Sequence, residues 1–178
     1  YSSYTPSGIA GFTRSPMIAG QFDDLYVGAG AVNVAPGSGS GNSTGNSYMY
    51  YYGDANKMVF TWNNVGLYGW NGSQATVGSA FQIILWKGAS AGDFGIEMRY
   101  EEVTRDFSTA SAGWTAGDTV NYSLIDLNSA TTGSNLNIPG VWAWEVRGGS
   151  VEMPYFVPDI GINSITPVAQ LTFPAVFS

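Results

Sequence analysis

The sequence contains neither cysteine nor histidine. Without thiols there is no disulfide framework, no thiolate zinc site and no cysteine nucleophile. Without imidazole there is no Ser-His-Asp triad, no histidine-ligated metal and no histidine pH switch. Positive charge is scarce too, with six Lys and Arg against thirteen Asp and Glu, a net charge of −7. The six bases, Arg14, Lys57, Lys87, Arg99, Arg105 and Arg147, are scattered along the chain. No basic stripe is available to follow a phosphate backbone, which excludes nucleic acid as a partner. The acidic balance also disfavours anionic membrane surfaces. No apolar run approaches the roughly 20 residues of a membrane-spanning helix.

What is present is polar, aromatic and rich in turn formers. The 178 residues include 24 glycines and 11 tyrosines, while only 11% are charged. That length suits one domain able to bury its own core. The composition suits short strands joined by many turns, in a protein that works outside cells.

Alternation along the chain predicts the strands. Residues 57–65, KMVFTWNNV, place Met58, Phe60 and Trp62 on one side. Residues 80–87, AFQIILWK, form a short apolar run of the kind buried on both faces. Residues 94–103 alternate most strictly, with Phe94, Ile96, Met98 and Tyr100 on one face and Glu97, Arg99 and Glu101 on the other. Residues 23–34, 48–52, 120–125 and 141–146 supply further strands, whereas 36–47 form a Gly/Ser loop with no charge and no apolar group. Short strands at regular spacing predict an all-β, antiparallel β-sandwich of jelly-roll-like build. The expected organisation is an extended N-terminal arm at 1–22, a sandwich body at 23–149, and a Pro-rich apolar C-terminal arm at 150–178.

Five stretches of the body resemble the nidogen-type NIDO family. Val59-Phe60-Thr61-Trp62-Asn63-Asn64-Val65-Gly66-Leu67-Tyr68 is similar to its ITWDNVGYY strand, and Ala80-Phe81-Gln82-Ile83-Ile84-Leu85 to its NTFQVVL segment. Residues 93–103, DFGIEMRYEEV, resemble DFDIEFRYEDI; 112–118 resemble AGFNAGDG; 137–144, NIPGVWAW, resemble NVPGRWVF. The pieces occur in the family's order over about residues 15–148. The resemblance implies an extracellular β-rich module and no catalytic residues. Two departures stand out. Thr104-Arg105-Asp106-Phe107 replaces the usual Trp-Thr, and residues 150–178 have no counterpart.

Three constellations offer chemistry. Glu97, Glu101 and Glu102 are the one close set of glutamates, but Glu97 and Glu101 lie about 13 Å apart on an extended strand, too far for a glycosidase pair. Their expected role is a solvated charged face, and no catalytic residue is assigned. Asp23-Asp24, Asp54 with Asn56, and Asp118 with Asn121 carry oxygens that could serve a structural calcium ion, although capping of their own turns explains them more simply. No other metal or cofactor is expected. Trp70-Asn71 in a Gly-Trp-Asn-Gly loop and Trp114 in an Ala-Gly-Trp-Thr loop, with Asp118 and Asn121, form a candidate glycan platform in which indole stacks on a sugar ring. The competing role for each Trp is to close the end of the core.

The arms carry the remaining apolar residues. Phe12 and Met17 in the first, and Tyr155, Phe156, Leu171, Phe173 and Phe177 in the second, are expected to contact neighbouring subunits, the even alternative being that both arms fold back over their own sheet. Arms of this kind lie in grooves or add to sheet edges. The expected function is therefore a non-enzymatic structural or adhesive subunit, a homo-oligomer or part of a multi-subunit assembly. A carbohydrate-binding module is the alternative.

Overall fold

The computed structural model describes residues 6–26, 48–67, 78–105 and 108–152. Among them no helix forms; all regular structure is antiparallel β. The strands are β1 (Met17–Phe22), β2 (Leu25–Tyr26), β3 (Tyr48–Gly53), β4 (Lys57–Leu67), β5 (Ser79–Lys87), β6 (Phe94–Glu102), β7 (Ser111–Thr115), β8 (Tyr122–Ile125), β9 (Val141–Arg147) and β10 (Ser150–Glu152). A seven-stranded sheet runs β10-β9-β6-β5-β4, with β2 and β3 both paired to β4, and a three-stranded sheet runs β1-β7-β8. Together the sheets curl as a half-barrel, a sandwich-like arrangement.

Register follows the side-chain alternation. Phe60 pairs Ile83, Ile83 pairs Met98 and Met98 pairs Trp142, so one apolar row crosses four strands. Trp62, Phe81 and Tyr100 make a parallel row whose rings stack at 4.7 and 6.0 Å. These rows meet Ala112 and Ile125 of the small sheet, with Leu127 and Ala130 from the following loop, in one buried cluster. Three strand tryptophans, Trp62, Trp142 and Trp144, belong to this core, whereas Trp86 lies on the opposite face beneath Lys57 Nζ, 5.0 Å from its ring centre.

The two sheets are held at close quarters by β1. Gly20 sits where a Cβ would come 2.5 Å from the Phe81 ring, so only glycine lets the strands approach this far. The register of β4 against β5 shifts between Trp62 and Val65, where buried Asn64 takes φ 52°. Asn tolerates this left-handed geometry better than most residues.

Residues 126–140 complete the free edge of β9. Asn135 Nδ2 donates to the Ala143 carbonyl at 2.7 Å and its Oδ1 accepts the Ala143 N–H at 2.9 Å. Ser134 Oγ donates to the Val141 carbonyl. Side chains thus stand in for a strand where β10 stops, and the exposed edge is blunted.

The boundaries differ from expectation in four places, one being Ser150–Glu152, which pairs with β9 as β10 although expected to open the C-terminal arm. Met17–Phe22 is a strand of the body, paired to β7, and not part of a free arm. Ala112–Trp114 is also strand rather than the loop expected from the Ala-Gly-Trp-Thr pattern, with Gly113 at φ 128° within it. The expected 120–125 strand begins only at Tyr122. Residues 27–47, with most of the expected 23–34 strand and the 36–47 loop, and residues 153–178 of the expected C-terminal arm lie outside the described residues.

Candidate functional site

Among the described residues, an apolar groove of about 480 Å³ is lined by residues of both sheets. Phe94 and Ile96 of β6 and Val146 of β9 form one wall. Ile18 of β1 and Trp114 of β7 form the other. Pro16, Met17, Ala116 and Val151 complete its margin. Period 2 explains the composition: Phe94 and Ile96 point to the side that carries the core, and pair Val146 and Trp144 across the ladder. Among the described residues no charged side chain lines the groove. Trp114 Nε1 is buried and has no acceptor among the described residues. An unpaired buried donor costs about 1–3 kcal/mol.

The candidate glycan platform does not assemble as expected. Trp114 faces the core cluster from a strand, rather than standing out on a loop. Asp118 and Asn121 lie beyond it on the β7–β8 turn and bind one another. Asp118 Oδ1 accepts the Asn121 N–H at 2.8 Å and the Val120 N–H at 3.0 Å, and Oδ2 accepts Asn121 Nδ2 at 2.7 Å. Those bonds, led by the Asn121 backbone N–H, hold the Asp118 carboxyl below its ordinary range. Trp70 and Asn71 lie outside the described residues.

The calcium candidates follow the same pattern. Asp54 Oδ1 accepts the Asn56 and Lys57 N–H groups, which lowers its pKa, and Asp23 Oδ1 accepts the Asp24 N–H. Each carboxylate closes its own turn. Among the described residues no three acidic side chains gather as a metal site.

Glu97 departs from the expected solvated face. It is fully buried, and pairs with Arg99 Nε two residues along β6. Its cross-strand neighbours are Ile84 and Ala143, both buried. Glu101 remains exposed, and lines a separate concavity of about 460 Å³ with Glu102, Arg105 and Asn128. Glu97 takes no part in that concavity, so the three glutamates do not converge.

Of the expected subunit contacts, Met17 lies at the groove margin. Phe12 is buried against its own chain, its ring edge-on to Phe22 at 5.8 Å. Tyr155, Phe156, Leu171, Phe173 and Phe177 lie outside the described residues. The groove residues Ile18, Phe94, Ile96, Val146 and Val151 were not singled out from sequence. Alternation marks Phe94 and Ile96 as inward, but not that they line a groove with residues of the small sheet.

Comparison with profiles of known families, with curated proteins and with solved structures returns no match to this chain.

Proposed function

We propose that the chain is a non-enzymatic structural or adhesive subunit of an extracellular assembly: a matrix, a cell-surface layer or filament, or a virion shell. The observation that carries the reading is the uncharged groove lined by both sheets, whose wall includes Trp114. An apolar concavity of this kind gains most from a macromolecular neighbour that excludes water from it. The NIDO-like stretches and the low charge content support the extracellular setting. The reading assigns no chemistry to any residue.

The glycan-binding alternative has weaker support. Of its described members, Asp118 and Asn121 spend their polar groups on each other, and Trp114 turns inward.

Light scattering on the full chain over a range of concentrations tests the proposal. Masses above that of one chain, rising with concentration or already saturated, are expected. A single-chain mass at every concentration, with no binding to any co-purified subunit, contradicts it.

A further inference from the structure

We propose that the large sheet binds an uncharged oligosaccharide on the face opposite the core, in a polar depression centred on Gln82 and Glu101. The inference goes beyond the assembly reading, does not rest on it, and uses none of the residues of the expected glycan platform.

Two bulges shape the depression. Between β4 and β5, Asn63 and Asn64 oppose the single residue Ala80; between β5 and β6, Glu101 is the extra residue beside the same alanine. A bulge bends its strand and re-aims the side chains around it. Here two of them flank a small, buried residue, beside a concavity of about 190 Å³ lined by Thr61, Asn63, Gln82, Arg99 and Glu101. Trp62, Phe81 and Tyr100 border it as well, but their rings stack with one another on the core side. Period 2 therefore leaves Thr61, Gln82 and Arg99 on the other face. Glu101 also lines the concavity of about 460 Å³ at the end of β6, with Arg105, Asn128 and Thr131. A ligand of two or more rings can span both, and the joined space falls within the about 300–1,000 Å³ of small-ligand sites.

The polar groups suit hydroxyls. Gln82 Nε2 donates to Thr61 Oγ1 at 2.8 Å, which orients both side chains. The second amide hydrogen, the amide oxygen and the threonine hydrogen then remain to meet a ligand or water. Arg99, anchored through Nε by Glu97, adds donors to the same wall, and Glu101 adds acceptors. A sugar hydroxyl donates and accepts at once, so it uses both kinds. Charge balance selects among sugars: Arg99 and Arg105 offset Glu101 and Glu102, so a uronate meets two carboxylates and an amino sugar two guanidiniums. Half-exposed Tyr50 pairs Thr61 across the ladder and shares its face, where a phenol ring can stack on the C–H face of a sugar.

An array of di- to hexasaccharides of glucose, galactose, mannose and N-acetylglucosamine, with uronate and sialylated members, tests this on the full chain. Calorimetric titration with the best binder then compares Glu101→Ala and Gln82→Ala with Tyr122→Ala, an exposed residue of β8 that lines neither concavity. Binding of at least one neutral member is expected. Each site substitution should weaken it about tenfold, the worth of a lost hydrogen bond, and Tyr122→Ala should leave it unchanged. No binding to any neutral member overturns the proposal. So does binding confined to charged sugars, or binding that survives Glu101→Ala. Glu101 is exposed, so that variant keeps its fold and decides the matter even if Gln82→Ala unfolds. The light-scattering test of assembly stands or falls separately.

Discussion

Tyr100 of β6 donates its phenolic hydrogen to the Gly20 carbonyl of β1 at 2.7 Å, a bond buried between the two sheets. It is one of the polar fastenings of the small sheet onto the large one, beside Gln21 Nε2 of β1, which donates to the Thr104 carbonyl at 2.7 Å. Burial pushes the Tyr100 phenol well above its ordinary pKa. Tyr100→Phe leaves the Gly20 carbonyl without that donor and should cost about 1–2 kcal/mol in urea unfolding. The pH dependence has a definite sign. An acid whose folded pKa is raised stabilises fully below its unfolded value, near 10 for tyrosine, and that stability is lost as pH rises beyond it. Wild type should therefore weaken above about pH 10, and Tyr100→Phe should show a shallower decline over the same range.

Gly20 itself fixes the spacing of the sheets. A methyl there would meet Phe81 ring carbons at 2.5 and 2.6 Å and Ile83 Cγ1 at 3.2 Å. Gly20→Ala should destabilise by about 1–3 kcal/mol through overpacking. Adding Phe81→Leu should recover part of that loss, seen as coupling in a double-mutant cycle. Additive losses would mean that β1 does not lie on Phe81.

The Glu97–Arg99 pair tests what the second face of the large sheet is. The Glu97 side chain is 0% exposed and that of Arg99 is 29% exposed. Arg99→Leu removes the named cation from a buried carboxylate, and a loss of about 3 kcal/mol is expected. Glu97→Leu with Arg99→Leu should lie much closer to wild type, because the desolvation cost goes with the charge. Thermal unfolding of the three variants decides the order. A harmless Arg99→Leu would mean that Glu97 is solvated.

The sequence reveals the large sheet better than the small one, for a physical reason. Residues 57–65 and 94–103 show their strands by alternation and 80–87 by an apolar run that suits burial on both faces; with 141–146 they appear as β4, β6, β5 and β9. β7 hides its nature: Ala112, Gly113 and Trp114 are small, flexible and large in turn, and the close approach that needs Gly113 is set by β8. β1 is obscured by Pro16 at its start and Gly20 within it. Glu97 misleads because period 2 assigns a side chain to a face without saying whether that face meets water. The groove is beyond sequence altogether, since it depends on how residues of β1 and β7 come to lie beside residues of β6 and β9.

The most direct test of the account is sedimentation velocity of the full chain against Val151→Asp. Val151 is 36% exposed on β10 at the groove margin, so a carboxylate there leaves the core intact while placing charge where an apolar partner must sit. The account predicts association in the wild type and a single-chain species in Val151→Asp of unchanged thermal stability. Equal association of the two proteins, or a single-chain wild type, would contradict it.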